Sequence, residues 1–268
     1  MGAGIDRWAS GAAYERYVGR WSRLVAIEFL DWLAVPRGQR WLDVGSGTGA
    51  LTEAILSRCD PASVIGVDPA EGFVDHARAA VTDPRATFAV GSASSTGLAD
   101  GTVDAAVSGL VLNFVPDAGE ALGEAHRVVV PGGVVAGYVW DYAAGMEFIR
   151  RFWDAAVALD PGAAGLDQGQ RFPIAAPGPL ETAFAAAGLV HVDVRAIEIP
   201  TVFADFDDLW LPFLGGTGSA PTYVAGLSGP ARASLRDRLR ETVVEEADGS
   251  IRMQARAWAA RGRRPASA

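Results

Sequence analysis

A glycine-rich turn is the segment of this sequence best suited to chemistry. Its residues, WLDVGSGTGALTEAI at positions 41–55, predict a strand, a loop containing Gly45, Gly47 and Gly49, and then a helix. Glycine adopts a positive φ readily, and it lets a ligand lie against the backbone because it has no Cβ. We therefore expect this loop to bind a ligand.

An aspartate at the end of the next apolar run indicates what that ligand contains. The run VIGVD at positions 64–68 predicts the second strand and ends in Asp68, 23 residues after Gly45. An acid at this position suits the two hydroxyl groups of a ribose. The sequence therefore predicts a ribose-bearing cofactor at the first switch point of a sheet.

Two kinds of cofactor fit the glycine spacing. Gly45-x-Gly47-x-x-Ala50 satisfies the loose fingerprint of dinucleotide-binding folds, which leaves an NAD-type oxidoreductase open. Three details favour another cofactor. A third glycine stands at position 49, and no arginine occurs between the loop and Arg58. Asp43 stands before the loop, where an acid suits a cation. S-adenosylmethionine, with a ribose, a positive centre and no phosphate, is the predicted cofactor. A tight turn without a ligand is the remaining alternative.

The composition excludes several chemistries. The 268 residues include 23 arginines and no lysine, which excludes a P-loop of the GxxxxGK[ST] type, a kinase with its β3 lysine and Schiff-base catalysis. Cys59 is the only cysteine, which excludes a disulfide within the chain and a cysteine zinc site. No cluster of residues has metal-ligand spacing, and no metal is predicted.

The charge distribution argues against nucleic acid as a partner. The formal net charge is −9, and residues 41–149 hold 14 acids against 4 arginines, which would repel phosphate backbones. A small molecule is the expected partner. No run of 18 apolar residues occurs, and residues 1–17 lack the apolar core of a signal peptide. We therefore expect a cytoplasmic protein without membrane insertion.

Alternating apolar runs and helical patterns predict the fold class. After a helix within the first 34 residues, the predicted elements are strand 41–44, helix 49–58, strand 64–68, helix 71–80, strand 87–91, strand 103–112, helix 117–127 and strand 134–140. This alternation is typical of βαβ units. It predicts an α/β fold with a Rossmann-like, doubly wound and mostly parallel sheet.

The pattern changes after Trp140. The predicted elements are helix 147–159, helix 179–187, strand 190–199, a helical stretch 205–247 in two pieces around 215–221, and strand 251–260. We expect the last strand to close the sheet in antiparallel orientation and the helices to form a lid insertion. The chain is then a single domain made of an N-terminal helical cap (1–38), a cofactor-binding core (39–141), substrate lid elements with strand six (142–250) and a closing strand (251–260).

Several motifs occur in the order of a known family. They are DVGSGTG (43–49), Asp68-Pro69, FAVGSASSTGLADGTVDAAVSGLVLNFVPD (88–117), HRVVVPGG (126–133) and the leader YERYVGRWSRLVAIEFLDWL (14–33). With them, residues 41–141 resemble a class I S-adenosylmethionine-dependent methyltransferase, of the branch that includes small-molecule and quinone methyltransferases. The resemblance implies methyl transfer to a small molecule.

The resemblance also implies a set of cofactor-binding residues. They are Arg20, Trp21, Asp43, Gly45, Ser46, Gly47, Gly49, Asp68, Pro69, Ser92, Ala93 and Ser108. The loop glycines would contact the methionine and ribose parts of the cofactor, and Asp43 would help to hold its ammonium group. Asp68 would bind the ribose hydroxyls, and Pro69 would flank the adenine.

The remaining positions would lie around the adenine, the sulfonium and the carboxylate. Ser92 and Ala93 would sit beside the adenine edge, Ser108 near the sulfonium, and Arg20 with Trp21 over the carboxylate. The family usually has an acid where Ser92 stands, and a hydroxyl is a weaker acceptor than a carboxylate. This departure leaves a cofactor-binding protein without methyl transfer as an alternative.

Two residues are candidates for contact with the reacting groups. A sulfonium methyl is already electrophilic, so the protein need only hold a nucleophile in line with it. Asn113, which follows the fourth strand, and Asp141, in the loop after the fifth, are the candidate catalytic or substrate-binding residues. Alternatively, Asn113 only forms a turn, and Asp141 is an exposed loop carboxylate.

The range of expected methyl acceptors is limited mainly by a motif that the sequence lacks. The fourth strand is not followed by [DNS]-P-P-[FYW], which disfavours methylation of the amino group of adenine or glutamine. Aromatic residues are frequent in 141–178 and 203–228, where they could line a pocket or form core. We expect a small, apolar or aromatic metabolite that accepts the methyl group on oxygen or carbon.

Overall fold

The computed structural model describes residues 15–216 and 218–266. Within them the chain divides into two compact units. Unit 1 comprises residues 15–22, 140–173 and 198–256, and unit 2 comprises residues 23–139, 174–197 and 257–266. The part of the predicted N-terminal helix and helical cap that falls on residues 1–14, and the motif position at residue 14, lie outside the described residues. The predicted single-domain organisation stays a prediction.

A seven-stranded sheet confirms the predicted fold class. Its strands are β1 (Arg40–Val44), β2 (Ser63–Asp68), β3 (Ala86–Val90), β4 (Val103–Gly109), β5 (Val129–Trp140), β6 (Val190–Phe203) and β7 (Ile251–Arg263). Their order is β3-β2-β1-β4-β5-β7-β6. The pairs β1–β2, β1–β4, β2–β3 and β4–β5 are parallel. The order reverses between β1 and β4, which makes the sheet doubly wound.

The last strand closes the sheet in antiparallel orientation, as predicted. The amide of Gly132 on β5 donates to the carbonyl of Arg264 at 2.9 Å, and the amide of Arg264 donates to the carbonyl of Gly133 at 3.0 Å. These two hydrogen bonds place Arg264 opposite both Gly132 and Gly133, as in an antiparallel ladder with a bulge.

The helices of unit 2 alternate with its parallel strands. They are most of α1 (Arg20–Leu33), α2 (Ala50–Arg58), α3 (Glu71–Ala80), α4 (Ala118–Val128) and α7 (Pro177–Ala186). Strand β1 is buried along its length except for Arg40, as expected for a strand covered on both faces. Trp41, Leu42 and Ile55 are fully buried and belong to the core of this unit.

Unit 1 is mainly helical and aromatic. Its helices are α5 (Glu147–Leu159), α6 (Gln168–Arg171), α8 (Phe206–Trp210), α9 (Ser219–Gly226) and α10 (Gly229–Arg240), with 3₁₀ turns at Pro161–Leu166 and Leu211–Leu214. Phe152 stacks on Phe213 with ring centroids 4.4 Å apart. Phe148 meets Phe203 edge to face at 5.6 Å. These four residues come from the segments whose aromatic residues could line a pocket or form core, and they pack in pairs and are buried.

Several predicted boundaries are wrong, each for a local reason. The helical stretch predicted to end at 247 ends at Arg240, because the chain then forms a turn in which the amide of Glu246 donates to the carbonyl of Ser250. The predicted break at 215–221 is shorter, since α9 begins at Ser219. The strand predicted over 103–112 ends at Gly109, because Leu110 takes a φ of 63°.

No helix among the described residues is long and apolar enough to span a membrane.

Candidate active site

The loop after β1 adopts the left-handed backbone that its glycines predict. The φ angles of Gly45, Gly47 and Gly49 are 71°, 52° and 90°. The amides of Gly45 and Ser46 both donate to the carbonyl of Val67, at 2.8 and 3.0 Å. Gly49 is the N-cap of α2, and its amide donates to the carbonyl of Ser46 at 2.8 Å. The loop is thus held against the end of β2.

Two of these glycines differ in their surroundings. A Cβ on Gly45 would lie 2.5 Å from Cγ2 of Val111, whereas a Cβ on Gly47 would meet nothing closer than a backbone oxygen at 4.0 Å. Gly45 is therefore required for packing as well as for its φ. Gly47 leaves open space beside its backbone, where a ligand can lie.

Asp68 braces the same loop. Its Oδ2 accepts a hydrogen bond from the amide of Gly47 at 3.0 Å, and its Oδ1 accepts one from the amide of Ala70 at 2.9 Å. The side chain is 8% exposed, and burial raises its pKa. A carboxylate offers about four acceptor sites. Asp68 therefore keeps acceptor capacity for hydroxyl groups while it holds the loop.

Asp43 is enclosed beneath the loop. It is 1% exposed and accepts a hydrogen bond from Oγ1 of Thr52 at 2.7 Å. Burial raises its pKa to about 7, and the nearby charge of Asp68 adds to this effect. Its predicted contact with the cofactor ammonium stays a prediction.

The raised pKa of Asp43 predicts how stability depends on pH. The folded protein binds this proton more tightly than the unfolded chain, so the free energy of unfolding should fall as the pH rises from about 4 to about 7. Asn stays neutral, so Asp43→Asn should abolish this decrease in the free energy of unfolding, which is on the order of 3 kcal/mol over that pH range. Urea unfolding of both proteins at several pH values measures the slope.

Thr52 provides the control for this pH dependence. Its hydroxyl hydrogen bond lowers the pKa of Asp43 and partly opposes the burial effect. Thr52→Val should therefore extend the fall in stability to higher pH. Equal slopes for the wild type and for Asp43→Asn would contradict the assignment of the titration to Asp43.

The segment after β3 is fixed to α4. The backbones of Ser92 and Ser95 exchange two hydrogen bonds of 3.1 Å. The amide and the hydroxyl of Thr96 donate to Oε1 of Glu124 at 2.9 and 2.7 Å, and Arg127 holds the pKa of Glu124 down to about 2. Ser92 and its neighbour Ala93 are half-buried in this braced segment, while Pro69 after β2 is exposed.

Two polar residues lie on β4 and just after it. Ser108 is buried, and its Oγ would lie 2.8 Å from a Cβ on Gly137 of the neighbouring strand. Asn113 is 8% exposed, and neither Oδ1 nor Nδ2 of its amide has a hydrogen-bond partner among the described residues.

The topology explains which predicted residues meet. Strand β1 lies between β2 and β4 and runs parallel to both, so the glycine loop, Asp68 and Ser108 share one edge of the sheet. Unit 2 thus contains the loop residues, Asp43, Asp68, Pro69, Ser92, Ala93, Ser108 and Asn113. Arg20, Trp21 and Asp141 belong to unit 1.

In unit 1, Arg20 keeps hydrogen-bonding capacity. Its Nη1 donates to both carboxylate oxygens of Asp208, at 2.9 and 3.1 Å, and its guanidinium carbon lies 4.4 Å from the ring centroid of Trp21. Its Nε and Nη2 are buried and have no partner within residues 15–216 and 218–266. Adjacent guanidinium donors bind a carboxylate in a bidentate way. The predicted role of Arg20 and Trp21 stays a prediction.

Asp141 is paired with an arginine. Its Oδ2 accepts a hydrogen bond from Nε of Arg256 at 2.9 Å and forms an ion pair with Nη2 at 2.7 Å, and its Oδ1 accepts a hydrogen bond from the amide of Ala144 at 3.0 Å. The carboxylate therefore holds the turn after β5 in place. Its predicted contact with the reacting groups stays a prediction.

Sequence reasoning missed the residues that support the loop. Val111 packs against Gly45, and Thr52 binds Asp43. Glu124 and Arg127 brace the segment that carries Ser92. Thr52 faces back toward β1 from the first turn of α2, so the strand–loop–helix pattern could have suggested it. No local sequence signal predicts the contacts of Val111, Glu124 and Arg127.

Comparison with known proteins finds a family model that matches part of this chain. The model of the family described as methyltransferase domain matches residues 42–137, which include the loop, Asp68, Ser108 and Asn113. We call residues 42–137 the methyltransferase domain after this match. The match confirms the predicted resemblance and the predicted methyltransferase class of this segment.

Individual relatives agree with the domain assignment. An uncharacterized methyltransferase of Mycobacterium tuberculosis is 38% identical over 129 residues, which cover 48% of this chain and 49% of that protein. A ubiquinone/menaquinone biosynthesis C-methyltransferase of Dinoroseobacter shibae is 34% identical over 108 residues, which cover 39% of this chain and 43% of that protein. The chain spans about half the length of the curated relatives it matches.

A solved structure shows the same fold. The phosphoethanolamine N-methyltransferase 2 of Haemonchus contortus, in complex with phosphomonomethylethanolamine and S-adenosylhomocysteine, superposes with a TM-score of 0.58 at 19% identity. The superposition covers 95% of this chain and 56% of that one.

Proposed function

We propose that this protein transfers the methyl group of S-adenosylmethionine to a small, apolar or aromatic metabolite, on oxygen or carbon. The observation that carries the proposal is the glycine loop braced by Asp68 at the carboxyl edge of a methyltransferase domain. The relative from Dinoroseobacter shibae, named as a C-methyltransferase of quinone biosynthesis, supports an acceptor of this class.

The residues present fit the cofactor. The positive φ angles of the loop and the open space at Gly47 form a backbone cradle that a Cβ would narrow. Asp68 has acceptor capacity for ribose hydroxyls. Within residues 42–137 there are 12 acids and 4 arginines, a balance that favours a cationic ligand.

The arginines of the domain argue against a dinucleotide. Each of them is paired with a carboxylate: Arg58 with Asp31, Arg78 with Asp75, Arg85 with Asp83 and Arg127 with Glu124. A pyrophosphate would therefore meet acids and already paired arginines, so the NAD-type alternative has no support here.

The protein contributes mainly by positioning. When bound, S-adenosylmethionine supplies an electrophilic methyl group. Alignment of a nucleophile with such a group can contribute about 7–11 kcal/mol to the lowering of the barrier. We infer that the loop and Asp68 orient the cofactor and that Asn113 contacts the acceptor, while Asp141 holds the turn after β5 through Arg256.

Isothermal titration calorimetry tests the cofactor. We expect S-adenosylmethionine and S-adenosylhomocysteine to bind with one-to-one stoichiometry and NADH not to bind. Binding of NADH without binding of S-adenosylmethionine would overturn the proposal. If the cofactor binds but no acceptor in a broad panel yields S-adenosylhomocysteine, the protein binds the cofactor without transferring its methyl group.

A further inference from the structure

The side-chain amide of Asn113 is the least satisfied polar group of the methyltransferase domain. The side chain is 8% exposed, and both its oxygen and its nitrogen are buried without a hydrogen-bond partner in the part of the chain that the structure describes. The turn that contains it is closed by the backbone, since the amide of Phe114 donates to the carbonyl of Val111 at 2.8 Å. The Asn113 side chain therefore does not cap this turn. Buried amides without partners are rare because each unpaired group loses its hydrogen bonds with water.

The position of this amide links it to the cofactor loop. Val111 contacts Gly45, and Asn113 follows Val111 by two residues, a separation of at most about 7 Å along the chain. On the proposed function, on which this inference rests, Gly45 lies against the methionine part of the cofactor. The unpaired amide thus belongs to the turn that packs against the cofactor loop.

We propose that Asn113 determines specificity by binding a hydroxyl group of the acceptor. The hydroxyl hydrogen is donated to Oδ1, and Nδ2 donates to the hydroxyl oxygen. One hydroxyl group therefore satisfies both halves of the amide, because it is a donor and an acceptor at the same time. The acceptor class is a neutral phenol, enol or alcohol.

Other acceptor groups fit the amide less well. An ether or a ketone accepts from Nδ2 but leaves Oδ1 unpaired, and an ammonium group does the reverse. A carboxylate also leaves Oδ1 unpaired, and it enters a domain with 12 acids against 4 arginines. A site built to bind a hydroxyl discriminates strongly against analogues that lack it, because its buried polar groups then stay unpaired.

Thermal unfolding without any ligand tests the unpaired state of the amide. Asn113→Leu keeps the approximate size of the side chain and removes both unpaired groups, so we expect Tm to rise by about 2–4 °C. Gln168 is the matched control: it is 2% exposed, and its Oε1 accepts a hydrogen bond from Nε1 of Trp153 at 2.8 Å. Gln168→Met should lower Tm. A fall in Tm for Asn113→Leu as large as that for Gln168→Met would overturn the proposal.

A set of matched probes tests the hydroxyl. Binding of 1-naphthol, 1-methoxynaphthalene and 1-naphthoate is measured by calorimetry on protein saturated with S-adenosylhomocysteine. We expect the naphthol to bind at least about tenfold more tightly than its methyl ether and the carboxylate, and this preference to be lost in Asn113→Leu. Equal binding of the three probes, no binding of the naphthol, or the same preference in the variant would overturn the proposal.

The two proposals can fail separately. Failure of S-adenosylhomocysteine to bind the wild-type protein counts against the proposed function. Normal cofactor binding in both proteins without a hydroxyl preference counts against the role of Asn113 alone.

Discussion

Gly45→Ala is expected to destabilise the methyltransferase domain by about 2–5 kcal/mol and to weaken cofactor binding at least about tenfold. The φ of Gly45 is 71°, which is unfavourable for a residue with a Cβ, and the new Cβ would lie 2.5 Å from Cγ2 of Val111. The backbone strain at position 45 and the overlap of the new Cβ with Val111 act together. To relieve the overlap, the loop would have to move away from the turn after β4. Urea unfolding and calorimetry with S-adenosylmethionine measure the two effects.

Two other glycines provide controls for this substitution. Gly47 has a φ of 52° but open space around it, so Gly47→Ala should show the backbone strain alone, about 1 kcal/mol. Gly72 in α3 has open space and an ordinary helical backbone, so Gly72→Ala should be neutral or slightly stabilising. Equal losses of stability for the substitutions at 45 and 47 would show that Val111 does not obstruct the loop.

A double variant isolates the steric part. Because the overlap involves the side chain of Val111, Val111→Ala should relieve it in the Gly45→Ala background. The combined loss of stability should then be smaller than the sum of the two single losses, as residues in direct contact are not additive. Additive losses would assign the whole effect of Gly45→Ala to its backbone conformation.

Asp68→Ala is expected to reduce affinity for S-adenosylmethionine by about tenfold or more, because the ribose hydroxyls lose a charged acceptor. The same change leaves the amides of Gly47 and Ala70 without their acceptor, so the loop loses its brace. A drop in unfolding free energy of about 1–3 kcal/mol should accompany the loss of affinity. Calorimetry and urea unfolding are again the measurements.

Variants at two aspartates separate these effects from the loss of a negative charge. Asp75 lies on α3, exposed and paired with Arg78 at 3.1 Å, and Asp75→Ala should change stability by less than about 0.5 kcal/mol and leave affinity unchanged. Asp68→Asn keeps one acceptor oxygen and should give an intermediate affinity. Unchanged affinity in Asp68→Ala would refute the assignment of Asp68 to the ribose.

In the first half of the chain, where strands and helices alternate, the element bounds were predictable because local sequence patterns determine them. Helix α3 has the predicted bounds, and β1 and β2 begin one residue before the predicted positions. Buried parallel strands read as short apolar runs, and glycine turns or prolines separate them from amphipathic helices. Helix α5 in the second half, Glu147–Leu159, also matches its prediction because its apolar face repeats with the helical period.

The errors occur where the local pattern is ambiguous. Residues 241–247 continue the helical composition of α10, but Asp248 and Gly249 form a turn, and Glu245 pairs with Ile251 at the start of β7. Helix propensity is a weak preference that such tertiary pairing overrides. Leu110 ends β4 early through a positive φ, which is uncommon for a residue other than glycine and has no sequence signature here.

The sequence by itself determined the cofactor loop, the acid that ends β2 and the order of the elements that bring them together. Glycine spacing and an acid at a strand end are local features, and a parallel α/β sheet has only one edge at which they can meet. The absence of lysine and the acidic balance of residues 41–149 restricted the chemistry before any fold was known.

Only the tertiary structure decided which side chains support the site and which remain unpaired. Val111 meets Gly45 across 66 positions of sequence, and Asp208 pairs with Arg20 across 188. Burial of Asp43, and the lack of a partner for the amide of Asn113 among the described residues, depend on every residue around them. Such contacts follow from the packing of distant segments, and local propensity carries no information about them.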